Sequence, residues 1–418
     1  MIYVAILGYG VVGSGIWQVL AQNRTYIERK ASQPIEVKRV LDTRKFPGNP
    51  VEKVLTSDYA DILKDKDIQI IAEAIGGLEP AYSYVKQALL ANKHVCTSNK
   101  ELVIKHGAEL LALAKERGLN FMFEASVGGG IPIVRPMNLS LTTDEVIGVA
   151  GILNGTTNYI LTQMSMVNKN FEEALAEAQE RGYAEKNPTA DVEGYDSCRK
   201  LAILLSLAIG RQVNYEAIHT EGITALTQED FAFATHFGYV IKLMADGRIT
   251  SMGIEALTVP MLIHSSHPLS MVADVFNGVL VQARMTDSVM FFGRGAGKLP
   301  TASAVVSDIV DISKHLDQHI EHIWSTESAM LLPLSSYRRQ KMIRVSFNDR
   351  ERAMSLIQEY MEPASIVEIS EYSGQLAWLS QCEPENKTIE KLARLAESKV
   401  FIGEPRILRI FEPTKSDE

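Results

Sequence analysis

The chain has 418 residues, of which 46% are hydrophobic and 22% are charged, and its formal net charge is −9. This composition is typical of a globular protein with two or three domains, and lysines and arginines do not cluster among aromatic residues, so we expect no nucleic-acid partner. The longest apolar run, Leu201–Ile209, is too short to cross a bilayer, so we expect no membrane partner. The three cysteines lie far apart and the chain opens directly into a strand, so we expect a cytoplasmic protein without a signal peptide.

The first residues have the pattern of a dinucleotide-binding turn. An apolar run of strand length, Ile2–Leu7, is followed at once by a Gly-x-Gly-x-x-Gly sequence and then by an apolar helix pattern. The glycines permit a tight turn and let the backbone approach a pyrophosphate, while the amide end of the helix faces that anion. Strand, glycine turn and helix in this order predict an NAD(P) site that contains Gly8, Gly10 and Gly13.

Strand and helix patterns alternate as far as about residue 130. Further strands are predicted at Ile35–Leu41, Ile68–Ile75, His94–Ser98 and Asn120–Ala125, and helices at Pro80–Asn92 and Glu101–Arg117. This alternation predicts a Rossmann-type α/β fold with a doubly wound parallel sheet. Ligands of such sheets bind at the carboxyl ends of the strands, which here carry Gly76, Ser98, Lys100 and Glu124.

The end of the second strand carries two competing signals for the choice of cofactor. Asp42 stands where an acid can hold the ribose hydroxyls of adenosine. Arg44 and Lys45 follow and could instead hold a 2′-phosphate. The sequence therefore leaves NAD and NADP both open.

After residue 130 the pattern changes to that of an inserted domain. Strands are predicted at Val146–Asn154, Gly253–Ile263, Gly278–Met285 and Asp287–Phe292. Helices are predicted at Phe171–Arg181, Ser197–Ile209 and Phe231–Asp246, and a returning helix at Thr301–Lys314. We interpret residues 131–297 as an α+β substrate and dimerisation domain inserted into an NAD(P)-binding domain of residues 1–130 plus about 298–316.

The C-terminal part has the pattern of a small separate domain. Residues 317–340 have weak periodicity and are interpreted as a linker. Residues 341–418 follow the order strand, helix, strand, strand, helix, strand, at Met342–Phe347, Arg352–Met361, Ser365–Ile369, Gln375–Cys382, Lys387–Lys399 and Pro405–Phe411. This βαββαβ order predicts a ferredoxin-like domain.

The segment Gly182–Lys200 combines an acidic loop with a lysine. Asp196 and Lys200 are four residues apart, so a helix would place them on one face. Carboxylates can hold the ammonium of a small zwitterionic substrate while a lysine moves a proton. From spacing alone, an ordinary surface ion pair explains the same residues, and such pairs are common.

Taken together, these motifs resemble the homoserine dehydrogenase family. The resemblance is strongest from Ala178 to Lys200, at Ala178, Gly182, Tyr183, Asn187, Pro188, Asp191, Val192, Gly194, Asp196 and Lys200. The segments Thr97–Lys100, Glu124–Pro132, Gly151–Tyr159 and Arg294–Asp308 also match, and the resemblance covers residues 1 to about 316. It implies reversible reduction of L-aspartate 4-semialdehyde to L-homoserine with NAD(P), in the biosynthesis of threonine, methionine and isoleucine.

The resemblance also implies roles for individual residues. Lys200 would be the general acid, and Lys100 would bind or polarise the reacting oxygen. Glu185 and Asp196 would hold the substrate ammonium or orient the lysines, and Asp196 is thereby implied in catalysis as well. Gly155 and Thr156 are implied in substrate binding. Four residues are implied to approach the cofactor through their backbones: Val11, Val12, Gly76 and Gly297.

By the same resemblance, one loop is expected to hold a monovalent cation such as sodium. Glu124 would offer a carboxylate, and Val127, Gly129 and Ile131 would offer backbone carbonyls. Oxygen ligands suit a hard cation and argue against zinc. A glycine-rich turn that only permits close packing is an equal alternative.

The C-terminal domain resembles the ACT regulatory module by its element order, which implies threonine as an effector. Its first turn, Asn348–Glu351, lacks the glycine that is frequent there, which weakens that expectation. An equally good role for the module is association of two chains by pairing of their sheet edges. We expect a homo-oligomer, a dimer through the sheet of the inserted domain.

Three alternative functions stay open at this point. Aspartate semialdehyde dehydrogenase would need a thiolate with a histidine partner, which neither Cys96 nor Cys198 has in an obvious form. A dehydrogenase of another small hydroxy acid would differ in its substrate. A catalytically silent NAD(P)-sensing regulator would be favoured by loss of Lys100 or Lys200, and both are present.

Overall fold

The computed structural model describes residues 1–414, which form two compact units. Unit 1 comprises Met1–Val146, Arg199–Tyr215 and Met290–Ala329. Unit 2 comprises Ile147–Cys198, Glu216–Val289 and the chain from Met330 onward. Among residues 1–414 no helix is both long enough and apolar enough to span a membrane.

Unit 1 is built on a parallel sheet. Its strands are β1 (Ile2–Leu7), β2 (Ile35–Leu41), β3 (Leu55–Thr56), β4 (Ile68–Glu73), β5 (His94–Thr97) and β6 (Phe121–Met122). They lie side by side in the order β3-β2-β1-β4-β5-β6, and every neighbouring pair is parallel. This is the strand order of a dinucleotide-binding Rossmann fold, so the predicted doubly wound sheet is confirmed.

Helices follow most of these strands. They are α1 (Val11–Gln22), α2 (Arg24–Ala31), α3 (Tyr59–Leu63), α4 (Ala81–Leu90), α5 (Lys100–Glu116) and α6 (Val134–Leu139). The strands are buried on both faces and therefore read as continuous apolar runs, such as Val4, Ala5 and Ile6, each of which is fully buried.

The middle of the chain contains most of unit 2 and the helices that connect the two units in sequence. Its elements are β7 (Val146–Ile152), α7 (Gly155–Met166), α8 (Phe171–Glu180), α9 (Thr189–Val192), α10 (Tyr195–Ile209), β8 (Arg211–Gln212), β9 (His219–Thr220), α11 (Gln228–His236), β10 (Tyr239–Thr250), β11 (Gly253–His264), β12 (Phe276–Ala283), β13 (Asp287–Arg294) and α12 (Lys298–Lys314). Helix α12 is the predicted returning helix. It joins the core of unit 1, and a Cβ on Gly15 of α1 would lie only 2.8 Å from the Cβ of Ala302.

The predicted helix Phe231–Asp246 is wrong in its second half. Helix α11 ends at His236, and Gly238 takes φ +82°, which turns the chain out of the helix. Residues from Tyr239 onward form β10 instead, paired antiparallel with β11 along its whole length. The apolar residues of this segment have spacings that fit both a helix and a buried strand, so its conformation is determined by pairing with β11.

Most of the C-terminal part belongs to unit 2 and continues its sheet. Its elements are β14 (Ser325–Ser328), β15 (Arg338–Arg339), β16 (Lys341–Phe347), α13 (Arg350–Met361), β17 (Ile366–Val367), β18 (Gln375–Leu379), β19 (Glu383–Pro384), α14 (Glu385–Glu397) and β20 (Phe401–Ile410). The sheet has the order β13-β12-β7-β10-β11-β20-β16-β18-β17. Within it, β20-β16-β18-β17 is antiparallel and stands in the 4-1-3-2 order that a βαββαβ unit can adopt. Strand β20 also pairs with β11, so one edge of this sheet is already occupied within the chain.

Two buried histidines make the stability of unit 1 depend on pH. Burial lowers the pKa of both His94 and His322 to about 4, and the Nδ1 atom of His94 accepts the amide of Asn120 at 3.0 Å. Each is therefore neutral in the folded protein, and each must gain a proton when the chain unfolds in acid.

We predict that the free energy of unfolding falls as pH decreases from about 6.5 to about 4, by about 3 kcal/mol for each histidine. The folded pKa lies below the unfolded one, so this stability is present above pH 6.5 and is lost toward pH 4. His94→Asn keeps an acceptor for Asn120 and should remove about half of the histidine contribution, measured by urea unfolding at both pH values. His236→Asn, at an exposed position, should keep the full slope; an unchanged slope in His94→Asn would contradict the assignment.

Candidate active site

The glycine turn after β1 has the geometry that a dinucleotide requires. Gly8 takes φ +89°, and a Cβ on Gly13 would lie 1.9 Å from the carbonyl oxygen of Gly8, so neither position accepts a side chain. Gly10 differs, because a Cβ there would meet no protein atom within 4 Å. In the described chain no side chain caps α1, so the amides of its first turn, which includes Val11 and Val12, are available to bind an anion.

Asp42 and Arg44 form an ion pair at the end of β2. Asp42 Oδ2 accepts the amide of Tyr9 and an Arg44 guanidinium N–H, both at 2.8 Å, and Oδ1 accepts the Arg44 amide and Nε–H at 2.9 Å. The Arg44 guanidinium holds the pKa of Asp42 far below its usual range. The Arg44 side chain is 60% exposed and the Asp42 side chain 7%. A ribose hydroxyl that binds Asp42 must therefore share it with Arg44, and Arg44 can turn outward to a phosphate.

The ends of β4 and β5 bring Gly76, Ser98 and Lys100 to one edge of the sheet. Glu73 of β4 pairs with Thr97 of β5, and the chain turns immediately after each of these residues. Gly76 takes φ +82°, and its amide donates to the buried carboxylate of Glu73. Lys100 is half-buried and is the first residue of α5.

Lys200 lies on α10, next to the helix that Lys100 begins. Its side chain is buried, with 7% of its surface exposed. An ion pair of 3.4 Å joins Arg199 of α10 to Glu101 of α5. Because each partner is the sequence neighbour of one lysine, the two lysines lie on neighbouring helices of unit 1.

A polar cluster in unit 2 contains Asn154, Asp191 and Asp196. Asn154 precedes α7 and caps it by accepting the amide of Thr157 at 2.9 Å. Its Nδ2 donates to Asp191 Oδ1 at 2.7 Å and to Asp196 Oδ2 at 2.9 Å. Asp196 is buried, so the bond from Asn154 fixes the direction of its carboxylate.

The three other residues predicted to bind the substrate each have a different local environment. Gly155 is the first residue of α7, where a Cβ would lie 2.7 Å from the carbonyl oxygen of Val275. Thr156 donates its hydroxyl to the carbonyl of Tyr183 at 2.6 Å, which fixes the acidic loop to α7. Glu185 lies exposed on that loop.

Glu124 is buried and binds the start of α6. Its Oε1 accepts the amides of Ile133 and Val134 at 2.6 and 2.9 Å, and its Oε2 accepts the amide of Arg135 at 2.7 Å. The predicted strand Asn120–Ala125 is shorter than expected, ending at Met122, and Glu124 opens a short 3₁₀ turn. The structure thus places Glu124 as the anchor of a helix N-terminus, where a carboxylate is stabilised.

The glycine-rich segment after Glu124 packs against the segment before α12. Gly129 takes φ +55°, and a Cβ on it would lie 2.3 Å from the carbonyl oxygen of Gly295. The amide of Gly130 donates to the carbonyl of Arg294 at 3.0 Å. Gly297, with φ +118°, directly precedes α12. Close packing against Gly295 is therefore sufficient to explain why a glycine is needed at position 129.

The sequence did not single out several residues that hold these groups in place. They are Glu73, Asn154 and the pair Glu101–Arg199. Asn154 carries a signal, since asparagine directly before a helix is a frequent cap. The sequence signal for Glu73 is weak, because it consists only of an acid at the end of an apolar strand. Unit 1 contains a dinucleotide turn and lysines that can donate protons, and unit 2 contains carboxylates that can bind an ammonium.

Two family models match the chain. The NAD-binding domain of homoserine dehydrogenase matches residues 8–124, and the homoserine dehydrogenase domain matches residues 132–310. A homoserine dehydrogenase of Bacillus subtilis strain 168 is 41% identical over 318 residues, which is 75% of this chain and 73% of the relative. One from Synechocystis is 42% identical over 353 residues, covering 82% of this chain and 79% of the relative.

Solved structures agree with these matches over nearly the whole chain. The crystal structure of a homoserine dehydrogenase from Thiobacillus denitrificans has a TM-score of 0.89 at 33% identity, with 98% of both chains covered. That of the S. aureus homoserine dehydrogenase at pH 7.5 has a TM-score of 0.80 at 30% identity, again with 98% of both chains covered. The similarity therefore extends beyond the residues that the two family models match.

Gly10→Ala tests the dinucleotide turn without disturbing the protein. Its φ of −79° suits alanine and its Cβ would meet no protein atom, so we predict an unchanged melting temperature. If pyrophosphate lies against this position, affinity for NAD(P) falls at least about ten-fold, measured by calorimetry or nicotinamide fluorescence. Gln22→Ala, exposed at the end of the same helix, is the control. Unchanged affinity in Gly10→Ala would mean that the dinucleotide does not bind this turn.

Proposed function

The chain belongs to the homoserine dehydrogenase family, and we propose that it interconverts L-homoserine and L-aspartate 4-semialdehyde with NAD(P), using Lys200 as the acid and base. The observation that carries this assignment of roles is the placement of the two lysines. Lys200 is buried on α10, and the Glu101–Arg199 ion pair holds α10 beside the helix that Lys100 begins. The dinucleotide turn belongs to the same unit of the chain.

Lys200 would move the proton of the reaction. When bound, the nicotinamide dinucleotide supplies the hydride in reduction and accepts it in oxidation. In reduction, negative charge grows on the aldehyde oxygen, and the Lys200 ammonium donates a proton from Nζ to that oxygen. In oxidation, Lys200 Nζ takes the proton from the hydroxyl group. Lys100 binds or polarises the same oxygen.

The acidic residues would hold the amino-acid part of the substrate. Glu185 and Asp196 would bind the substrate ammonium through their carboxylates. Gly155 and Thr156, the first residues of α7, would also contact the substrate. Asn154 supports this role for Asp196, because it binds one oxygen of the carboxylate at 2.9 Å and so fixes its direction. Removing that bond would leave a buried carboxylate with one donor fewer.

The cofactor would bind along the rim of the sheet in unit 1. Gly8, Gly10 and Gly13 bring the backbone to the pyrophosphate, with Val11 and Val12 offering amides, and Asp42 or Arg44 takes the adenosine ribose. The nicotinamide end is assigned to a set of residues at strand ends and at the start of α12: Gly76, Ser98, Lys100 and Gly297.

We also propose a monovalent cation such as sodium at Glu124, Val127, Gly129 and Ile131. The donor set consists only of oxygens, which suits a hard cation. Glu124 already accepts three amides, and a carboxylate offers about four acceptor directions, so one remains for the ion. The role of such an ion would be structural.

Each segment of the chain is given a role in this proposal. We assign residues 1–130 and about 298–316 to cofactor binding, 131–297 to substrate binding and dimerisation, 317–340 to a linker and 341–418 to an ACT-like domain with threonine as its effector. The linker contains β14 and β15, which pair with β8 and β19. The reaction would take place in the cytoplasm, where NAD(P) is present and thiols such as the exposed Cys382 stay reduced.

The alternative that relies on a thiolate fits the structure poorly. Cys96 is fully buried in the sheet, and burial raises its pKa well above the usual value. A nucleophilic cysteine needs the opposite, namely access and a lowered pKa. Cys198 is buried as well.

Lys200→Met tests the acid–base assignment. We predict that turnover of homoserine falls at least about a hundred-fold while affinity for NAD(P) is kept, because methionine can neither donate nor accept the proton. Lys200→Arg should stay slow as well, since a guanidinium holds its proton too tightly. Lys186→Met, an exposed lysine in the acidic loop, should keep full turnover. Turnover near that of the unmodified protein in Lys200→Met would remove Lys200 from the mechanism.

Arg44→Ala tests the choice of cofactor. Losing Arg44 frees Asp42 for a ribose hydroxyl and removes a partner for a 2′-phosphate. We predict that the ratio of kcat/KM for NADP to that for NAD falls at least about ten-fold. Lys53→Ala removes another exposed positive charge of the same segment of the chain and should leave the ratio unchanged. The same ratio in Arg44→Ala as in the unmodified protein would show that Arg44 does not read the phosphate.

A further inference from the structure

A buried carboxylate stands at the point where the chain turns out of β4. Glu73 has no exposed surface, and its Oε1 accepts the amides of Ile75 at 2.7 Å and Gly76 at 3.2 Å. The preceding strand residues Ile70, Ile71 and Ala72 are apolar, as a buried parallel strand requires. A similar apolar residue at 73 would leave both amides without this acceptor. Burial raises the pKa of Glu73, and the donors around it act in the opposite direction.

The second oxygen of this carboxylate reaches the neighbouring strand. Thr97 of β5, paired with Glu73 in the sheet, donates its hydroxyl to Oε2 at 2.5 Å. The same hydroxyl oxygen accepts the amide of Asn99 at 2.9 Å. Thr97 therefore links Glu73 by hydrogen bonds to Asn99, the residue directly before Lys100.

Asn99 links the start of α5 to the turn after β4. Its Nδ2 donates to the carbonyl of Gly77 at 2.6 Å, and its Oδ1 caps α5 by accepting the amide of Leu102 at 3.1 Å. We call Glu73, Thr97 and Asn99 the Glu73 bridge. It ties the turn that contains Gly76 to the start of α5 through side chains at both ends.

We propose that the Glu73 bridge positions Lys100 relative to the cofactor turn at Gly76, and that Glu73 and Thr97 are positioning residues of the reaction. The inference rests on the proposed function, which gives Lys100 and Gly76 their roles. Neither Glu73 nor Thr97 needs to touch the substrate, because each acts through Asn99 and the turn. A displacement of about 1 Å in a reacting group can slow an enzyme by about a hundred-fold, so a rigid link between the two segments has a direct effect on rate.

Thr97→Val and Thr97→Ser provide the test. Valine has nearly the shape of threonine but cannot bond Glu73 or Asn99, whereas serine keeps the hydroxyl. We expect kcat for homoserine oxidation to fall at least about ten-fold in Thr97→Val, with KM for homoserine and affinity for NAD(P) nearly unchanged. Thr97→Ser should stay within about three-fold of the unmodified protein. Melting temperatures are measured for every variant, so that rates are compared between folded molecules.

Asn99→Ser keeps the proposal testable if Thr97→Val does not fold. Serine still caps α5 but is too short to reach the carbonyl of Gly77, so the bridge is cut at its other end. The same fall in kcat is expected. Variants that melt earlier yet keep the kcat of the unmodified protein would overturn the proposal, since the bridge would then only stabilise the fold. Failure of the unmodified protein to oxidise homoserine would instead overturn the proposed function.

Discussion

A buried carboxylate is stable only where hydrogen-bond donors surround it, and this constraint shapes the loops of the protein that carry its chemistry. Glu73 gathers the amides of the turn after β4, and Glu124 gathers the amides at the start of α6. Asp308 of α12, whose pKa is raised by burial, accepts the amide of Glu124 and the guanidinium of Arg135. In each case the acid fixes a piece of irregular backbone that a purely apolar core could not hold.

The same constraint operates in unit 2, where Asn154 acts as the donor. Its side-chain Nδ2 donates to Asp191 and Asp196, and the Oδ1 of the same amide caps α7 by accepting the amide of Thr157. The acidic loop and α7 are fixed together a second time by Thr156 and the carbonyl of Tyr183. Groups held in this way need little rearrangement when a substrate binds, and that reduces the entropy that catalysis must overcome.

Local patterns allowed much of the fold to be predicted from the sequence. The turn from Gly8 to Gly13 could be predicted because its strand, its glycines and its helix are consecutive in the chain. The second half of the predicted helix Phe231–Asp246 was wrong because pairing with the strand that follows, β11, determined its conformation. Element order identified the C-terminal strands and helices, but it gave no sign that β20 would pair with β11.

Side-chain partners were harder to predict than elements. Glu73 meets Thr97 and Asn99 only because β4 and β5 are neighbours in the sheet, and no spacing in the sequence encodes that contact. Asp42 and Arg44 were interpreted as competing signals for NAD and NADP, whereas the structure shows them paired with each other. The carboxylate of Glu124 was expected to bind an ion, and its three amide donors could not be foreseen because they come from the start of a helix nine or more residues away.

The most direct test of the account is to identify the product that the unmodified protein forms from L-homoserine. Purified protein is incubated with L-homoserine and NAD or NADP, nicotinamide absorbance is followed, and the product is identified by mass spectrometry beside a panel of other small hydroxy acids. We expect nicotinamide reduction with homoserine in preference to the other acids, and L-aspartate 4-semialdehyde as the product. A folded protein that binds the dinucleotide but leaves homoserine unchanged, or that oxidises another hydroxy acid in its place, would contradict the proposed function.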